Sequence, residues 1–423
     1  ILIRKNSLRT LNRIANLNGI YSFILFLISP LLSVVAAIVN YRSGWAKNII
    51  WLFTVFYSVT MVVIEGRDIN RYIERFLDMV YSNLDWKDFQ SILYQDHTTV
   101  DIFQPLVTFL VAQFTSDYRV LFAVFGLIFG YFFSRNIWYL LKYAGPRIGL
   151  FGALLITCFV LINPFWNING FRFWTATHVF FFGAIHYLME GKKSYLLFVL
   201  LTPLIHFTFI FPIGLLLLQV VAGNRIPLFY FFYLGTMFLS SINVEAISDQ
   251  ISSLPFLPDV IRHRVMSYAN EEYAEQRAET AAQTSWFVRI YTGALFWSIT
   301  AMLSLIYLRG RSFLKEVPGL ANVFCFALLL LGVTNLLTSI PSVGRFIYVG
   351  GLFAVAVIFW YLQHGPSDKL TYYAVVLTVP LLLFYCLIIV RIGMDSIGLF
   401  ALVGNPLITG IVEHNTPLID LIK

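Results

Sequence analysis

The chain has 423 residues, of which 59% are hydrophobic, 17% aromatic and only 12% charged. Since a soluble domain carries roughly 25% charged residues, this composition excludes a soluble protein and indicates an integral membrane protein. The net charge of +7 is typical of cytoplasmic loops beside anionic lipid, and the sequence has no Lys/Arg-rich tract with interleaved aromatic residues that would indicate a nucleic-acid partner.

Apolar runs follow one another along almost the whole chain. A membrane-spanning helix needs about 20 mostly apolar residues, or fewer where neighbouring helices help. The run at 102–115 is short for a span, and glycine and proline interrupt the run at 397–412. We therefore predict an all-α polytopic membrane protein of about 12–14 transmembrane helices. In chain order, the predicted helices are 21–39, 49–64, 119–141, 148–165, 171–189, 194–206, 208–222, 227–243, 286–308, 319–338, 345–363 and 370–391.

Lys and Arg in short loops predict the orientation of these helices, because such loops are enriched on the cytoplasmic side. The loop at 244–285 has seven acidic residues, three Arg and no Lys, which agrees with an outer location. The segments predicted to be cytoplasmic are 142–147, 190–193, Arg225, 309–316 and 364–369. Counting helices between them places the following on the opposite face: 163–171, His206, 244–285, 339–344 and 391–395.

The first third of the chain leaves two topologies open. A basic lead at 1–20 favours a cytoplasmic N terminus, which would place 65–101 inside if 102–115 spans the membrane. Alternatively, 102–115 is a surface or re-entrant helix and 65–101 lies outside, as its eight acidic and four basic residues favour. Charge counting alone does not separate the two topologies.

Four polar residues near the predicted outer face need an explanation. They are Arg172 in "NINGFRFW", His206 in "LIHFTF", Arg345 in "PSVGRFIY" and Asp68 in "EGRDINRY". Each has a structural explanation, since the arginines could reach lipid phosphates, the histidine could satisfy a helix end and the aspartate could cap a helix. Their common face favours a site instead. Two arginines and a histidine suit a diphosphate, and a nearby carboxylate could accept a proton from an attacking hydroxyl.

Five stretches, in order along residues 20–365, resemble the EpsG-like family of polysaccharide polymerases. They are "GRDINRY" (66–72), "FQPLVTFL" (103–110), "NGFRFWTA" (169–176), "KKSYLLFVLLTPLIHFTFI" (192–210) and "GRFIY" (344–348). The chain departs from the family pattern at Phe173, where the family has Gln, at Thr208, where it has Ser, and at Gln104, where it has Glu. The resemblance implies catalytic roles for Asp68, Arg172, His206 and Arg345, and substrate-binding roles for Tyr72, Asn169, Thr208 and Tyr348.

The resemblance also implies a function and a topology. The family's members are Wzy-type glycosyltransferases, which polymerise undecaprenyl-diphosphate-linked oligosaccharide repeats at the outer face of the bacterial inner membrane into O-antigen, capsule or exopolysaccharide. A similar layout in GT-C glycosyltransferases favours a single transmembrane domain at 21–423 with outer loops at 65–118 and 244–285. Two alternatives stay open: a lipid-linked sugar ligase or single-sugar GT-C transferase, and a flippase or transporter, which should show inverted repeats and charges at mid-membrane.

The expected partners follow from this interpretation. The lipid-linked oligosaccharide serves as both donor and acceptor, membrane lipid surrounds the protein, and a chain-length regulator is a further candidate. We expect no metal and no cofactor, because a lipid diphosphate is already a good leaving group. Consistent with this, Cys158, Cys325 and Cys386 lie in apolar runs without a CxxC or Cys/His metal spacing.

Overall fold

The computed structural model describes residues 19–64, 68–82, 84–95, 101–239, 285–337, 343–366, 368–409 and 415–421. The basic lead predicted at 1–20 and the outer loop predicted at 244–285 lie outside the described residues, except for their last one or two positions.

Every element in these described ranges is helical, apart from one isolated bridge between Gly398 and Pro417. Short 3-10 turns lie at Phe165–Gly170, Lys193–Tyr195, Phe207–Phe209, Val343–Arg345 and Leu418–Leu421. The helices are α1 (Gly19–Ile28), α2 (Pro30–Val39), α3 (Ala46–Thr60), α4 (Asp68–Tyr81), α5 (Trp86–Gln95), α6 (Phe103–Ala112), α7 (Tyr118–Lys142), α8 (Leu150–Ile162), α9 (Phe171–Glu190), α10 (Leu196–Ile205), α11 (Ile210–Ala222), α12 (Ile226–Phe238), α13 (Trp286–Arg309), α14 (Arg311–Glu316), α15 (Leu320–Leu336), α16 (Phe346–His364), α17 (Lys369–Gly393), α18 (Leu399–Val403) and α19 (Pro406–Thr409).

Many of these helices are long or apolar enough for a membrane. In the described part of the chain, five helical segments have the length and hydropathy to cross a bilayer: Tyr118–Lys142, Leu150–Glu190, Trp286–Arg309, Val343–His364 and Lys369–Gly393. Seven shorter apolar helices accompany them, namely α1, α2, α6, α12 and α15 and the segments Lys193–Ile205 and Phe207–Ala222. The prediction of an all-α polytopic membrane protein is confirmed.

The segments predicted to be cytoplasmic meet at one end of the bundle, which we call the basic end. The Glu190 carboxylate at the end of α9 accepts from Lys142 Nζ at 2.8 Å and lies 2.6 Å from Lys192 Nζ. Further contacts join the other loops there: His364 with the Tyr143 carbonyl, Arg42 with the Gly145 carbonyl, Asn224 with Asn322, and Arg309 with Asp368. These loops therefore share one face, as the charge pattern predicts.

The apolar run predicted as a single helix at 21–39 is instead a hairpin of two short helices, so that prediction is wrong. The Ser33 hydroxyl donates to the Ser22 carbonyl at 3.2 Å, which requires α1 and α2 to lie side by side. Ser29 breaks the run with extended backbone, and its hydroxyl accepts from the Leu32 N–H at the start of α2. Pro30 begins α2, where its missing N–H costs no helical hydrogen bond.

The hairpin returns the chain to the basic end. Gly19 lies against Trp45, at the start of α3, since a Cβ on this glycine would be 3.6 Å from that of Trp45. At the close of the hairpin, the Tyr41 carbonyl accepts from Trp138 near the basic end of α7. The chain therefore enters α3 from the same end at which α1 begins. A basic lead on the cytoplasmic side is then compatible with an outer loop after α3. With 21–39 as one span, the chain would have crossed the membrane twice before that loop, which would place the loop inside.

Helix α6 does not cross the bundle. Helices α3 and α7 run antiparallel, with Gly130 so close to Thr54 that a Cβ on the glycine would be 2.8 Å from that of the threonine. Since α7 ends at Lys142 at the basic end, its N-cap Asp117 lies at the opposite end. Asp101, just before α6, also lies there, because it bonds to the first turn of α9. The structure therefore supports the surface or re-entrant placement of 102–115.

Helices α9 and α16 form the centre of the bundle, with side chains buried on every side over most of their length. Both run from the end opposite the basic end, which we call the site end, towards Glu190 and His364. Helix N-termini carry partial positive charge. The two central helices therefore direct that charge to the site end.

Cysteine labelling can test this topology and its orientation. In a chain freed of its three cysteines, which are all buried, a membrane-impermeant maleimide should label Ser82→Cys at the end of α4 in intact spheroplasts. It should label Ser194→Cys and Ser312→Cys, which are exposed near the basic end, only after permeabilisation. Labelling of Ser82→Cys only after permeabilisation would contradict the outer placement of the first loop. Labelling of Ser194→Cys or Ser312→Cys in intact spheroplasts would contradict the whole orientation.

Candidate functional site

Three helix N-termini meet at the site end. Phe173 of α9, Phe209 before α11 and Phe346 of α16 form a triangle of rings with centroids 5.2 to 5.5 Å apart. Each helix follows a 3-10 turn, and none of the N-cap residues caps its helix with a side chain; these are Gly170, Phe209 and Arg345. The aligned peptide dipoles of each helix leave partial positive charge at its N-terminal end, which favours an anion. The packing of these rings brings three helix N-termini together, so the region is electropositive even without the charged side chains.

Arg172 is held by a carboxylate that comes from far away in the sequence. Its Nη1 donates to Asp101 Oδ2 at 3.0 Å, and Asp101 Oδ1 accepts from the Phe207 N–H at 2.8 Å. The Asp101 side chain is 1% exposed, whereas that of Arg172 is 27% exposed. One buried carboxylate therefore ties the start of α9 to the turn before α11, and the arginine still reaches the surface of the site.

His206 lies in the break between α10 and α11. Its backbone is extended, with φ −152°, and its ring meets that of Phe173 edge to face with centroids 5.4 Å apart. The Thr208 hydroxyl lies 2.7 Å from His206 Nδ1. Because Phe207, the next residue, bonds to Asp101, the same carboxylate that orients Arg172 also fixes the segment that carries His206. Thr208, predicted to bind substrate, is a partner of this histidine.

Arg345 completes the cationic group. It is exposed at the start of α16, and its guanidinium carbon lies 5.8 Å from the centroid of the Phe173 ring. Phe173 replaces the glutamine of the family pattern, and its ring packs against both Arg345 and His206. The structure therefore brings two of the predicted residues, His206 and Arg345, to one ring, and Asp101 joins Arg172 to the turn that follows His206.

Asp68 and Tyr72 lie on α4, which also packs at the site end. Tyr72 is buried and meets Phe125 edge to face at 6.0 Å, and Phe125 stacks on Phe171 of α9 at 3.8 Å. Asp68 begins α4 and forms an ion pair with Arg71, one turn further on. Among the described contacts, none joins Asp68 directly to Arg172 or Arg345. Its catalytic role stays a prediction, as does the substrate-binding role of Tyr72.

Asn169 and Tyr348 lie beside Trp174. The Trp174 and Tyr348 rings are 5.7 Å apart, and both rings line a small cavity together with Asn169. Asn169 is 9% exposed. The two residues predicted to bind substrate here are therefore brought together, although they are far apart in the sequence.

Asp101 is the site residue that the sequence did not single out. It is one of eight acidic residues in 65–101, and its partner Arg172 is 71 positions away, so no local pattern links them. The available signal was its place just before the short apolar helix α6. Gln104, where the family pattern has a carboxylate, is buried and donates to Thr108. In this chain the buried carboxylate at the start of α6 is that of Asp101.

The described part of the chain contains no group of three or more His, Cys, Asp or Glu side chains that could hold a metal ion. The buried His178 has structural contacts. Its Nε2 lies 3.1 Å from the Asn163 carbonyl, and Asn136 donates a hydrogen bond to the backbone carbonyl of His178. The chemistry that the site offers is that of cations, helix N-termini and aromatic rings.

Removing the Asp101 carboxylate should destabilise the protein. Asp101→Ala deprives the Arg172 guanidinium and the Phe207 N–H of a buried acceptor, so we expect a loss of about 1–3 kcal/mol in the free energy of unfolding. Asp395→Ala is the matched control, because Asp395 pairs with Arg391 at 3.3 Å on an exposed helix end, where a pair is worth about 0–1 kcal/mol. Unfolding of the purified protein in mixed micelles measures both. Equal small losses would contradict a central role for Asp101.

The fold and the site together define the class: a polytopic membrane protein of helices whose cationic site lies where three helix N-termini meet. A model of the EpsG family matches residues 48–398, which is most of the chain. The chain belongs to the EpsG family, the family of Wzy-like polysaccharide polymerases, as the sequence resemblance indicated. Neither a curated protein nor a solved structure matches the chain.

Proposed function

We propose that the protein is a Wzy-type glycosyltransferase that polymerises undecaprenyl-diphosphate-linked oligosaccharide repeats at the periplasmic or outer face of the inner membrane. The observation that carries this proposal is the grouping of cationic side chains where three helices start. Asp101 joins Arg172 to the turn that follows His206. The Phe173 ring meets both His206 and Arg345. This group lies at the end opposite the basic loops, which tend to be cytoplasmic.

The donor in this proposal is the growing chain on its lipid diphosphate. Arginine suits a diphosphate because it is always charged and presents a planar fork of N–H donors. The bond to Asp101 fixes the plane of the Arg172 guanidinium, and Arg345 supplies a second cation from α16. Cations fixed in advance at a leaving group lower a barrier strongly, because they need no reorganisation while charge develops.

The reaction is a single displacement at the anomeric carbon. A hydroxyl oxygen of the acceptor repeat forms a bond to that carbon, and the bond from the carbon to the diphosphate oxygen breaks. The electron pair leaves on undecaprenyl diphosphate, next to the arginines. The hydroxyl proton passes to a carboxylate, for which we propose Asp68. In this scheme His206, held by Thr208 and by the Asp101-bound turn, donates to a diphosphate oxygen.

Asp101 has a positioning role in this scheme. At 1% exposure it cannot be reached by an acceptor hydroxyl, and both of its oxygens accept hydrogen bonds within the fold. It orients Arg172 and the segment that carries His206. A chain-length regulator would act on the product and needs no place within this group.

The proposal can be tested by deleting the gene and separating the surface polysaccharide on a gel. A polymerase predicts loss of the ladder with a single repeat unit retained, and restoration of the ladder by the wild-type gene. Loss of all surface sugar would indicate a flippase or an earlier step and would overturn the proposal. An intact ladder that is no longer joined to its final acceptor would indicate a ligase instead.

A further inference from the structure

A cavity of about 220 Å³ opens beside the cationic group, and we call it the aromatic cavity. Its walls come from the end of α8, the Phe165–Gly170 turn and the helices α9, α13, α16 and α17. None of the described residues that line it is charged, in contrast to the neighbouring arginines. The lining residues with polar or aromatic side chains are Trp166, Asn167, Asn169, Trp174, Tyr291 and Tyr348.

Two glycines fix the orientation of the tryptophan rings in this cavity. A Cβ on Gly393 at the end of α17 would be 2.7 Å from the Trp166 indole, and one on Gly170 would be 2.9 Å from the Trp174 indole. Both distances are shorter than side chains tolerate. The rings therefore pack directly on backbone, which holds each ring face in a defined position.

Asn169 brings an unsatisfied acceptor to the cavity. The residue is 9% exposed, and its Oδ1 has no hydrogen-bond partner among the described residues. A buried polar atom without a partner is costly, so such atoms in native proteins usually meet a ligand or an ordered water. The oxygen can only accept a hydrogen bond, so its partner must carry a donor.

We propose that the aromatic cavity binds a neutral pyranose ring of the lipid-linked oligosaccharide, a proposal that rests on the function proposed above. The lack of charge in the lining suits a neutral ligand. The fixed aromatic faces suit the apolar face of a sugar ring, and Asn169 Oδ1 accepts a hydrogen bond from a ring hydroxyl. An ionised diphosphate has only acceptor oxygens and cannot satisfy this atom, so it belongs with the arginines.

The position of the cavity identifies which sugar it binds. Trp174, which lines the cavity, meets the Phe173 ring edge to face with centroids 5.0 Å apart, and the Arg345 guanidinium carbon lies 5.8 Å from the centroid of that same ring. A ring in the cavity is thus near the part of the diphosphate that Arg345 would hold. The cavity therefore selects the first sugar of the repeat unit, the one whose anomeric carbon reacts.

The test compares two lipids in equilibrium binding to purified protein in nanodiscs. One probe is undecaprenyl diphosphate without sugar, and the other is the repeat-unit lipid isolated from cells that lack this gene. Asn169→Leu keeps the number and branching of the side-chain heavy atoms but removes the acceptor, and it should weaken binding of the repeat-unit lipid about tenfold, with undecaprenyl diphosphate unaffected. Trp174→Leu should give the same selective loss.

The matched control is Thr334→Val. Thr334 is fully buried in α15, and its hydroxyl also has no partner among the described residues, but it does not line the cavity. It should leave the binding of both lipids unchanged. Asn169→Leu should melt at or above the wild-type temperature, since it removes an unsatisfied buried atom, and this separates ligand binding from a structural role.

Each other outcome has a definite meaning. If Asn169→Leu and Trp174→Leu bind the repeat-unit lipid like wild type, Asn169 meets only water and the sugar site is overturned while the proposed function stands. Equal weakening of both lipids would overturn the neutral-sugar assignment. If wild-type protein binds neither lipid, the proposed function fails and the sugar site fails with it.

Discussion

Arg172→Lys should lower the rate of chain extension by about 10²–10³-fold while the protein still accumulates in the membrane. Lysine keeps the positive charge but replaces a planar fork of N–H donors by a single rotating ammonium group. In the wild type, the fork is fixed by the bond from Nη1 to Asp101 at 3.0 Å, and the side chain is 27% exposed at the site. If the residue merely reached towards lipid phosphates, lysine would serve nearly as well.

The matched control for this substitution is Arg391→Lys. Arg391 also lies at the site end and also pairs with an aspartate, Asp395, at 3.3 Å, but on the outer surface of α17. It should extend chains at the wild-type rate. The measurement is extension of the repeat-unit lipid by purified protein over time, with equal amounts of protein confirmed on a gel. Wild-type extension by Arg172→Lys would rule out the fork as the reason for an arginine here.

Hydropathy predicted where most helices lie but not which of them cross the membrane. The run predicted at 119–141 is α7, Tyr118–Lys142, because a mostly apolar segment of 25 residues has no alternative to a helix in lipid. The run at 21–39 has a similar composition but folds as a hairpin. The local signal was the pair Ser29–Pro30, which is a typical helix start and lies inside an apolar run. Whether the chain turns back there depends on how the two short helices pack against α3, and a hydropathy pattern carries no information on packing.

In the candidate site, too, the sequence identified individual residues, whereas their grouping depends on the fold. Arg172, His206 and Arg345 could be selected from the sequence because a charged or polar group at the edge of an apolar run is costly without a reason. Their grouping depends on how three helices start against each other and on the bond from Arg172 to Asp101, which only the fold gives. Asp101 was missed because its importance comes from burial, and burial of one acidic residue in a polar loop has no sequence signature.

The burial of Asp101 also bears on which carboxylate can act as the base. A general base must come within hydrogen-bond reach of the proton that it accepts. The Asp101 side chain is 1% exposed and bonds to Arg172 and to the Phe207 N–H, so it is committed to the fold. The Asp68 side chain is 35% exposed and pairs only with the exposed Arg71 among its described contacts. Of the two, Asp68 is the one that an acceptor hydroxyl can reach.

Asp68→Asn should therefore lower the rate of chain extension by about 10²–10⁴-fold, the usual contribution of a general base. Asparagine keeps the size of the side chain and is as good an N-cap as aspartate, so a residue that only begins α4 would lose almost nothing. Asp78→Asn, an exposed aspartate on the same helix, is the matched control and should be neutral. If Asp68→Asn extends chains within a few-fold of wild type, the base must be sought elsewhere, with His206 as the next candidate. The proposed roles of Arg172 and Arg345 would survive that result, because stabilising the leaving diphosphate does not depend on which group takes the proton.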